Sequence, residues 1–529
     1  MKKQHLMPLI YSAILATGIL FGIYIAKSNG ITATPKSSDN FYINDIFSLI
    51  DKEYVDTINI NELQNKAITH ILESMDPHSE YIKPDVLDDV NDNLHGSFHG
   101  IGVSFRIEKD TIAIINTIKG GPSEKVGILA GDRIIYVGDT LVAGTKVTNK
   151  DAMRLLKGPK KTKVDVKIKR RGVEELLDFT IVRDVIPTHS IDVAYMIDDN
   201  IGFIKMTKFS ATTHKEFVEA VKKLKAEGMT QLILDLRDNT GGYFDQSWKL
   251  ANEFLGRGQL VVYMQGRNRP RDEFDADGRG KLQDIELSVL INEGSASSSE
   301  IFAGAIQDND RGVIIGRRSF GKGLVQEPVN FTDGSGIRLT VARFYTPSGR
   351  CIQKPYDKNY DYDIYERYAH GEMTSADSMK IDTTSVYYTL KGRHVYGGGG
   401  IIPDIFVPID TTKATDFYVK CNRKATSVRF AQTMFDKYRG ALASINDFAV
   451  LDTYLDGIDL ASQFLDYAAR IDGIKPEKGE WEKSAEYMMP QLKALVGRFS
   501  KLGDEAFHRY YIPIDDTIQS ALKNSSVID

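Results

Sequence analysis

A chain of 529 residues has room for about three domains. Its 42% hydrophobic and 26% charged residues are those of an ordinary globular protein, which excludes a disordered or fibrous chain. A formal net charge of −5 leaves no basic excess for nucleic acid, and two cysteines with ten scattered histidines offer neither a disulfide framework nor metal-ligand spacing. No metal or other cofactor is expected.

The amino terminus opens with Lys2 and Lys3 and then runs almost uncharged from Leu6 to Ala26 before Lys27. About 20 apolar or small residues suffice to span a bilayer. No convincing small-residue exit of a cleaved signal precedes Ser28, so residues 1–30 read as a signal anchor, with a cleaved signal as the alternative. The two lysines hold the amino terminus in the cytoplasm, and the chain from about Gly30 onward lies across the membrane. After a polar linker, Tyr42, Ile46 and Ile50, then Leu63, Ala67 and Ile71, repeat with helical period and predict a helical cap within 31–95. Asp76-Pro77-His78-Ser79-Glu80-Tyr81 breaks that period as a turn, in which His78 reads as a hydrogen-bonded turn residue and not as a catalyst.

From Phe98 to Val185 short β-rich runs alternate with glycine turns. Within Gly100-Ile101-Gly102-Val103-Ser104-Phe105, backbone N–H groups can meet a peptide carboxylate while the strand edge accepts the peptide by β-augmentation. Strand and helix patterns then alternate from Ile201 to about residue 346, which predicts a layered α/β core. Within it, Asp235-Leu-Arg-Asp-Asn-Thr-Gly-Gly242 joins a buried strand to a helix carrying Phe244, Trp248, Ala251 and Leu255. Gly241 and Gly242 can bring bare backbone close to a ligand there.

Further along, Gly294-Ser-Ala-Ser-Ser-Ser-Glu300 lies between an apolar strand, Leu287 to Ile291, and an apolar helix, Ile301 to Ile306. Such a turn aims a hydroxyl and the free N–H groups of a helix start at one point. No histidine occurs between His214 and His370, so the base available to a serine here is Lys322 of Gly321-Lys322-Gly323. A lysine whose pKa falls on burial can take a serine proton. The cluster alone leaves open which serine attacks. Downstream, Arg343–Arg350 and Gly397–Asp404 carry no catalytic group, and the tyrosine-rich acidic stretch from Tyr356 to Thr389 is expected as a solvated loop. Phe417 to Asn524 shows helical periods punctuated by Pro476 and Pro490 and predicts a helical bundle.

Taken together, Ser295-Ala-Ser-Ser-Ser-Glu300, Phe320-Gly-Lys-Gly-Leu-Val-Gln326, Asp235–Gly242 and Asp76–Tyr81 resemble the motifs of the C-terminal processing (tail-specific) peptidases, over roughly Phe41 to Pro408. Gly131-Asp132-Arg133-Ile134-Ile135 resembles the PDZ domain of that family. The resemblance implies Ser297 as nucleophile, Lys322 as general base and Gln326 as the group that orients it. It also implies an oxyanion hole from Gly241, Gly242 and the Ser298 amide, with Ser298 standing where alanine is common. Peptide binding falls to Gly100, Ile101, Gly102 and Val103.

The implied fold class is α/β: a layered protease core of the crotonase/Clp kind over 188–410, with a PDZ β-rich domain inserted over 96–187. Ahead of these stand the membrane anchor, 1–30, and the helical cap, 31–95; a helical extension, 411–529, lies beyond the resemblance. The implied function is a serine endopeptidase of the cell envelope, anchored in the inner membrane with its catalytic part in the periplasm or otherwise outside the cytoplasm. It would capture apolar C-terminal tails of envelope proteins through the PDZ domain and cleave them by way of an acyl-enzyme. The extension could dock on the core, contact a second copy or bind an adaptor. The competing readings are a non-catalytic PDZ scaffold, an acyl ester or thioester hydrolase, and a Ser-His hydrolase using His78, His189 or His214.

Overall fold

The structure, a computed structural model, describes residues 42–356 and 360–524, and the chain divides into two units after Ser74. The anchor expected over 1–30 and the linker after it lie outside the described residues. Among the described residues no helix is long and apolar enough to cross a membrane. The first unit holds the helices Tyr42–Glu53 and Ile60–Glu73. The second of these is capped by Asn59, whose side chain accepts the Glu62 N–H at 3.2 Å. Residues 75–95 fall in the second unit instead of completing the cap: the strand Glu80–Ile82 pairs with Gly336–Tyr345, and the helix Pro84–His95 follows.

The β-rich region forms an antiparallel sheet in the order Val103–Ile107, Ile112–Thr117, Arg133–Val137, Lys163–Lys169, Leu177–Val182. Lys163–Lys169 alternates charged and apolar residues, so Val164, Val166 and Ile168 all face inward, where they meet Ile112, Ile114, Ile134 and Ile181. Ser97–Gly100 pairs with Asp184–Pro187, which ties the region's entry to its exit. Val103–Ile107 is an edge strand, and beside it Phe98, Gly100, Ile101, Gly102, Met153 and Leu156 line a groove.

The core is a six-stranded sheet whose spatial order follows the chain: Ile191–Met196, Ile201–Met206, Gln231–Asp235, Glu286–Ile291, Val313–Gly316 and Ile405–Phe406. All neighbours after the first pair are parallel. Such strands are buried on both faces and read as continuous apolar runs, as Leu232-Ile233-Leu234 does. Leu232 and Leu234 pack with the helices Thr213–Ala226, Phe244–Asn252 and Ser298–Asp308. Ile233, with Tyr195, Phe203, Leu290 and Ile315, faces the other way and is covered by Ile512, Ile518 and Ala521 of the carboxyl-terminal extension. A second sheet, containing Leu260–Gly266, Arg269–Asp275, Leu324–Asn330 and Gly336–Tyr345, carries the segment after Lys322.

Two expectations require correction. The stretch from Tyr356 to Thr389 is not a solvated loop: it holds the helix Asp363–Ala369 and the first strand of a hairpin, Val386–Tyr388 against His394–Tyr396. Arg367 and Glu372 within it are buried because they are paired. Arg367 and Arg318 share Glu372 at 2.8 and 2.7 Å, and Arg367 also donates to the carbonyls of Arg318 and Ser319. Pro490, in turn, does not break a helix but sits within Glu480–Gly497. The extension has its own core of Phe417, Phe430, Phe464, Leu451, Leu455 and Leu492, and Arg439 reaches from it to donate to the Ala130 carbonyl of the β-rich region. Cys351 and Cys421 are both free thiols.

Candidate active site

The parallel strand Glu286–Ile291 leads into a tight turn held by short-range bonds. Ser295 Oγ donates to the Leu236 carbonyl at 2.8 Å and accepts the Asn292 N–H at 3.0 Å. Ser297 ends the turn with φ +55° and ψ −114°, a conformation that side chains other than glycine avoid, and the helix Ser298–Asp308 starts at the next residue. Strain of this kind persists only where the surroundings over-determine it. Here the Ser297 N–H is held by Glu300 Oε2 at 2.8 Å, and the Ser297 carbonyl accepts from Glu300 and Ile301. Ser297 itself is half-buried, whereas its neighbours Ser298, Ser299 and Glu300 are buried.

Glu300 is the group that sequence reasoning missed. Fully buried, it accepts four hydrogen bonds: Ser319 Oγ at 2.5 Å and Gly321 N–H at 2.7 Å on Oε1, and the N–H groups of Ser297 at 2.8 Å and Lys322 at 2.9 Å on Oε2. One carboxylate oxygen therefore binds the backbone of both the serine and the lysine. Burial pushes its carboxyl above the usual carboxylate range, against the pull of those donors. The signal lay in the motif itself, where Glu300 stands at the third helical position as in a capping box.

Lys322 Nζ donates to Gln326 Oε1 at 2.9 Å. Lys322 lies just ahead of the strand Leu324–Asn330, which carries Gln326 and has a register shift between Val325 and Gln326. Gln326 Nε2 is anchored on the His78 carbonyl. The turn around His78 is rigid, since Asp76 Oδ1 accepts the N–H groups of His78 at 2.8 Å and Ser79 at 2.7 Å. Burial lowers the Lys322 pKa from the usual lysine value, the charge of Arg338 lowers it further, and Glu80, Glu300 and Asp76 oppose the change. The His78 ring bonds the Tyr360 hydroxyl, and burial, aided by Lys322, pushes its pKa down to about 4. His214 pairs with Glu253 at 2.9 Å and His189 lies 3.8 Å from Glu216. Neither contact involves the serine cluster.

The loop after Gln231–Asp235 lies against the serine. A Cβ on Gly241 would stand 2.9 Å from both Ser297 Cβ and the Ser298 nitrogen, and φ is +98° there, so only glycine fits. Of the three amides nominated for an oxyanion, that of Gly241 is donated to Asn239 Oδ1 at 2.9 Å. Those of Gly242 and Ser298 have no protein acceptor among the described residues. Ser298 Oγ donates to the Gly242 carbonyl at 2.9 Å, which joins the two segments. The peptide-binding candidates Gly100, Ile101, Gly102 and Val103 line the groove beside the edge strand, in the separate β-rich region.

Comparison with known proteins matches the model of peptidase family S41 to residues 200–364 and that of a PDZ domain to residues 100–181. The carboxy-terminal-processing protease of Bartonella bacilliformis is 34% identical over 344 residues, 63% of this chain and 78% of that protein. The carboxy-terminal processing protease CtpA of Bacillus subtilis is 35% identical over 313 residues, 59% of this chain and 66% of its own length. A probable CtpA-like serine protease of Staphylococcus aureus is 31% identical over 358 residues, covering 66% and 71%.

Proposed function

The chain belongs to peptidase family S41, among the carboxy-terminal processing serine proteases with a PDZ domain, and on that premise we propose that it cleaves polypeptide tails with a Ser297–Lys322 dyad. Ser297 Oγ attacks the scissile carbonyl while the Lys322 amine, in its uncharged form, takes its proton. The N–H groups of Gly242 and Ser298 receive the oxyanion, and Gly241 lets the Gly242 loop lie against the serine. Lys322 then passes the proton to the leaving amine and activates the water that hydrolyses the acyl-enzyme. Gln326 orients the lysine throughout. In this reading the Gly100–Val103 segment captures an apolar C-terminal tail by β-augmentation. The uncharged run from Leu6 to Ala26 supports placing this activity at a membrane, on envelope proteins.

The observation that most supports the dyad is Glu300, whose Oε2 accepts the backbone N–H groups of both Ser297 and Lys322. A passive scaffold needs no such tether between a strained serine and a half-buried lysine. Cleavage of a peptide with an apolar carboxyl terminus should fall to background in Ser297→Ala and in Lys322→Ala, with thermal melting retained. Full turnover in either variant removes the assignment.

A further inference from the structure

Arg237 opens the loop that carries Gly241 and Gly242, and part of what holds it comes from the far end of the chain. Its guanidinium grips Asp235 with Nε 3.0 Å from Oδ1 and Nη2 2.6 Å from Oδ2. It also makes a fork on Asp515, with Nη1 2.9 Å from Oδ1 and Nη2 2.8 Å from Oδ2. Asp515 is itself immobilised: it caps the helix Asp516–Lys523, accepting the N–H groups of Thr517 at 3.0 Å and Ile518 at 3.1 Å. Ile512 and Ile518, on either side, are buried on the core sheet. Arg237 and Asp515 are only 16% and 15% exposed, so the pair is poorly screened by solvent. With Lys205, which binds Asp235 at 3.2 Å and the Arg237 carbonyl at 2.6 Å, the cluster balances two cations against two carboxylates.

Beyond Arg237 the loop has little slack. The Asp238 N–H is held by Asn292 Oδ1 at 2.8 Å, and Asn239 ties itself to the Met206 carbonyl at 3.0 Å and to the Gly241 N–H. Arg237 is the anchor at the head of this short loop, ahead of those at Asp238 and Asn239. We propose that Asp515 is a positioning residue for catalysis: the carboxyl-terminal extension completes the site from behind by fixing Arg237 and, through it, the Gly242 amide that receives the oxyanion. This rests on the oxyanion role proposed above for Gly242. Removing Asp515 leaves two buried cations against one carboxylate and frees half of the guanidinium, while the chemistry at Ser297 and Lys322 is untouched.

The test uses the full chain and Asp515→Asn. Asparagine caps helices as well as aspartate does but cannot make the anionic fork, so a mere capping role predicts no change. Initial rates on a fluorogenic peptide with an apolar carboxyl terminus are measured per active site, counted by complete labelling with a fluorophosphonate. The expected result is a fall in kcat of about tenfold, within the range that small misplacements produce, with KM altered by less than about twofold. Arg237→Lys, which keeps a cation but loses the fork, should show the same loss, and the double variant no further loss, since both act along one path. Should D515N fail to fold, the R237K kcat and KM decide. Wild-type kcat in the variant that folds, a loss confined to KM or to the number of labelled sites, or simple additivity of the two substitutions overturns the proposal. Persistent activity of Ser297→Ala would instead refute the dyad reading itself, whatever the Asp515 variants do.

Discussion

At the scale of single residues, the site depends on holding two groups in forms that water disfavours. Ser297 keeps a backbone conformation that costs on the order of 1–3 kcal/mol, and Lys322 has a pKa lowered chiefly by burial. Glu300 binds the backbone N–H groups of both residues, although its charge opposes the lowering at Lys322. Replacing Glu300 by glutamine turns one acceptor oxygen into a donor facing other donors and strands two of its four hydrogen bonds, at about 1–3 kcal/mol for each unpaired group. Glu300→Gln should therefore melt several degrees lower and lose most of its kcat, as calorimetry and initial rates on a tailed peptide can establish; unchanged values for both would show that the tether is dispensable. Ser297, Lys322 and Gln326 were nominated through the resemblance of their short motifs to a known family, since the serine cluster alone left the nucleophile open. His78 was not, since its contribution is a backbone carbonyl offered to a residue 248 positions away, and nothing in side-chain chemistry announces that.

At the scale of elements, the strand ends deliver the chemistry. The parallel strands Gln231–Asp235 and Glu286–Ile291 are neighbours, and the loops leaving them carry the glycine amides and the serine. Their apolar runs and the glycine pair were readable in advance as strand-to-helix turns, but not that the two strands lie side by side. What could not be read was which glycine amide is free, because that depends on Asn239 turning its side chain back onto Gly241. Gly241→Ala tests the closeness of the two loops. Its Cβ would lie 2.8 Å from the Ala296 carbonyl and 2.9 Å from Ser297 Cβ, at a φ that alanine avoids. The variant should remain folded and lose at least about a hundredfold in kcat, the scale set by removing one oxyanion donor; near-normal turnover would mean that the loop does not border the reacting carbonyl. The tyrosine-rich excursion escaped prediction for a related reason. Its charges look solvated in sequence, yet Arg367 and Glu372 meet each other and the backbone beside Phe320, so burial follows from pairing.

At the scale of the whole molecule, the described second unit holds an α/β core, a PDZ domain and a helical extension that touches both. The extension was recognisable as helical by its period, but its docking surface was hidden: both faces of a parallel sheet read as apolar whatever covers them. Ile512, Ile518 and Ala521 close the face formed by Tyr195, Phe203, Ile233, Leu290 and Ile315, each buried isoleucine contributing about 2 kcal/mol. A chain ending at residue 410 should consequently expose that face, bind a hydrophobic dye and aggregate on expression; a monodisperse truncated protein with the full-length melting temperature would show that the core needs no cover. The alternation of strands and helices in the core was thus accessible from the sequence pattern. The partner of each layer was not, because a continuous apolar run marks a strand as buried on both faces without naming what covers them.

The central claim is a neutral lysine acting on Ser297, and the most direct measurement is the pH dependence of Ser297 phosphonylation by a fluorophosphonate, read by intact mass and peptide mapping. A lysine with a lowered pKa is protonated at low pH and cannot accept the serine proton. The rate should therefore rise with pH through a single ionisation below the usual lysine range and then level off, with Ser297 as the labelled residue and no labelling in Lys322→Ala. A pH-independent rate, modification at a different serine, or a Lys322→Ala protein labelled as fast as the wild type would contradict it.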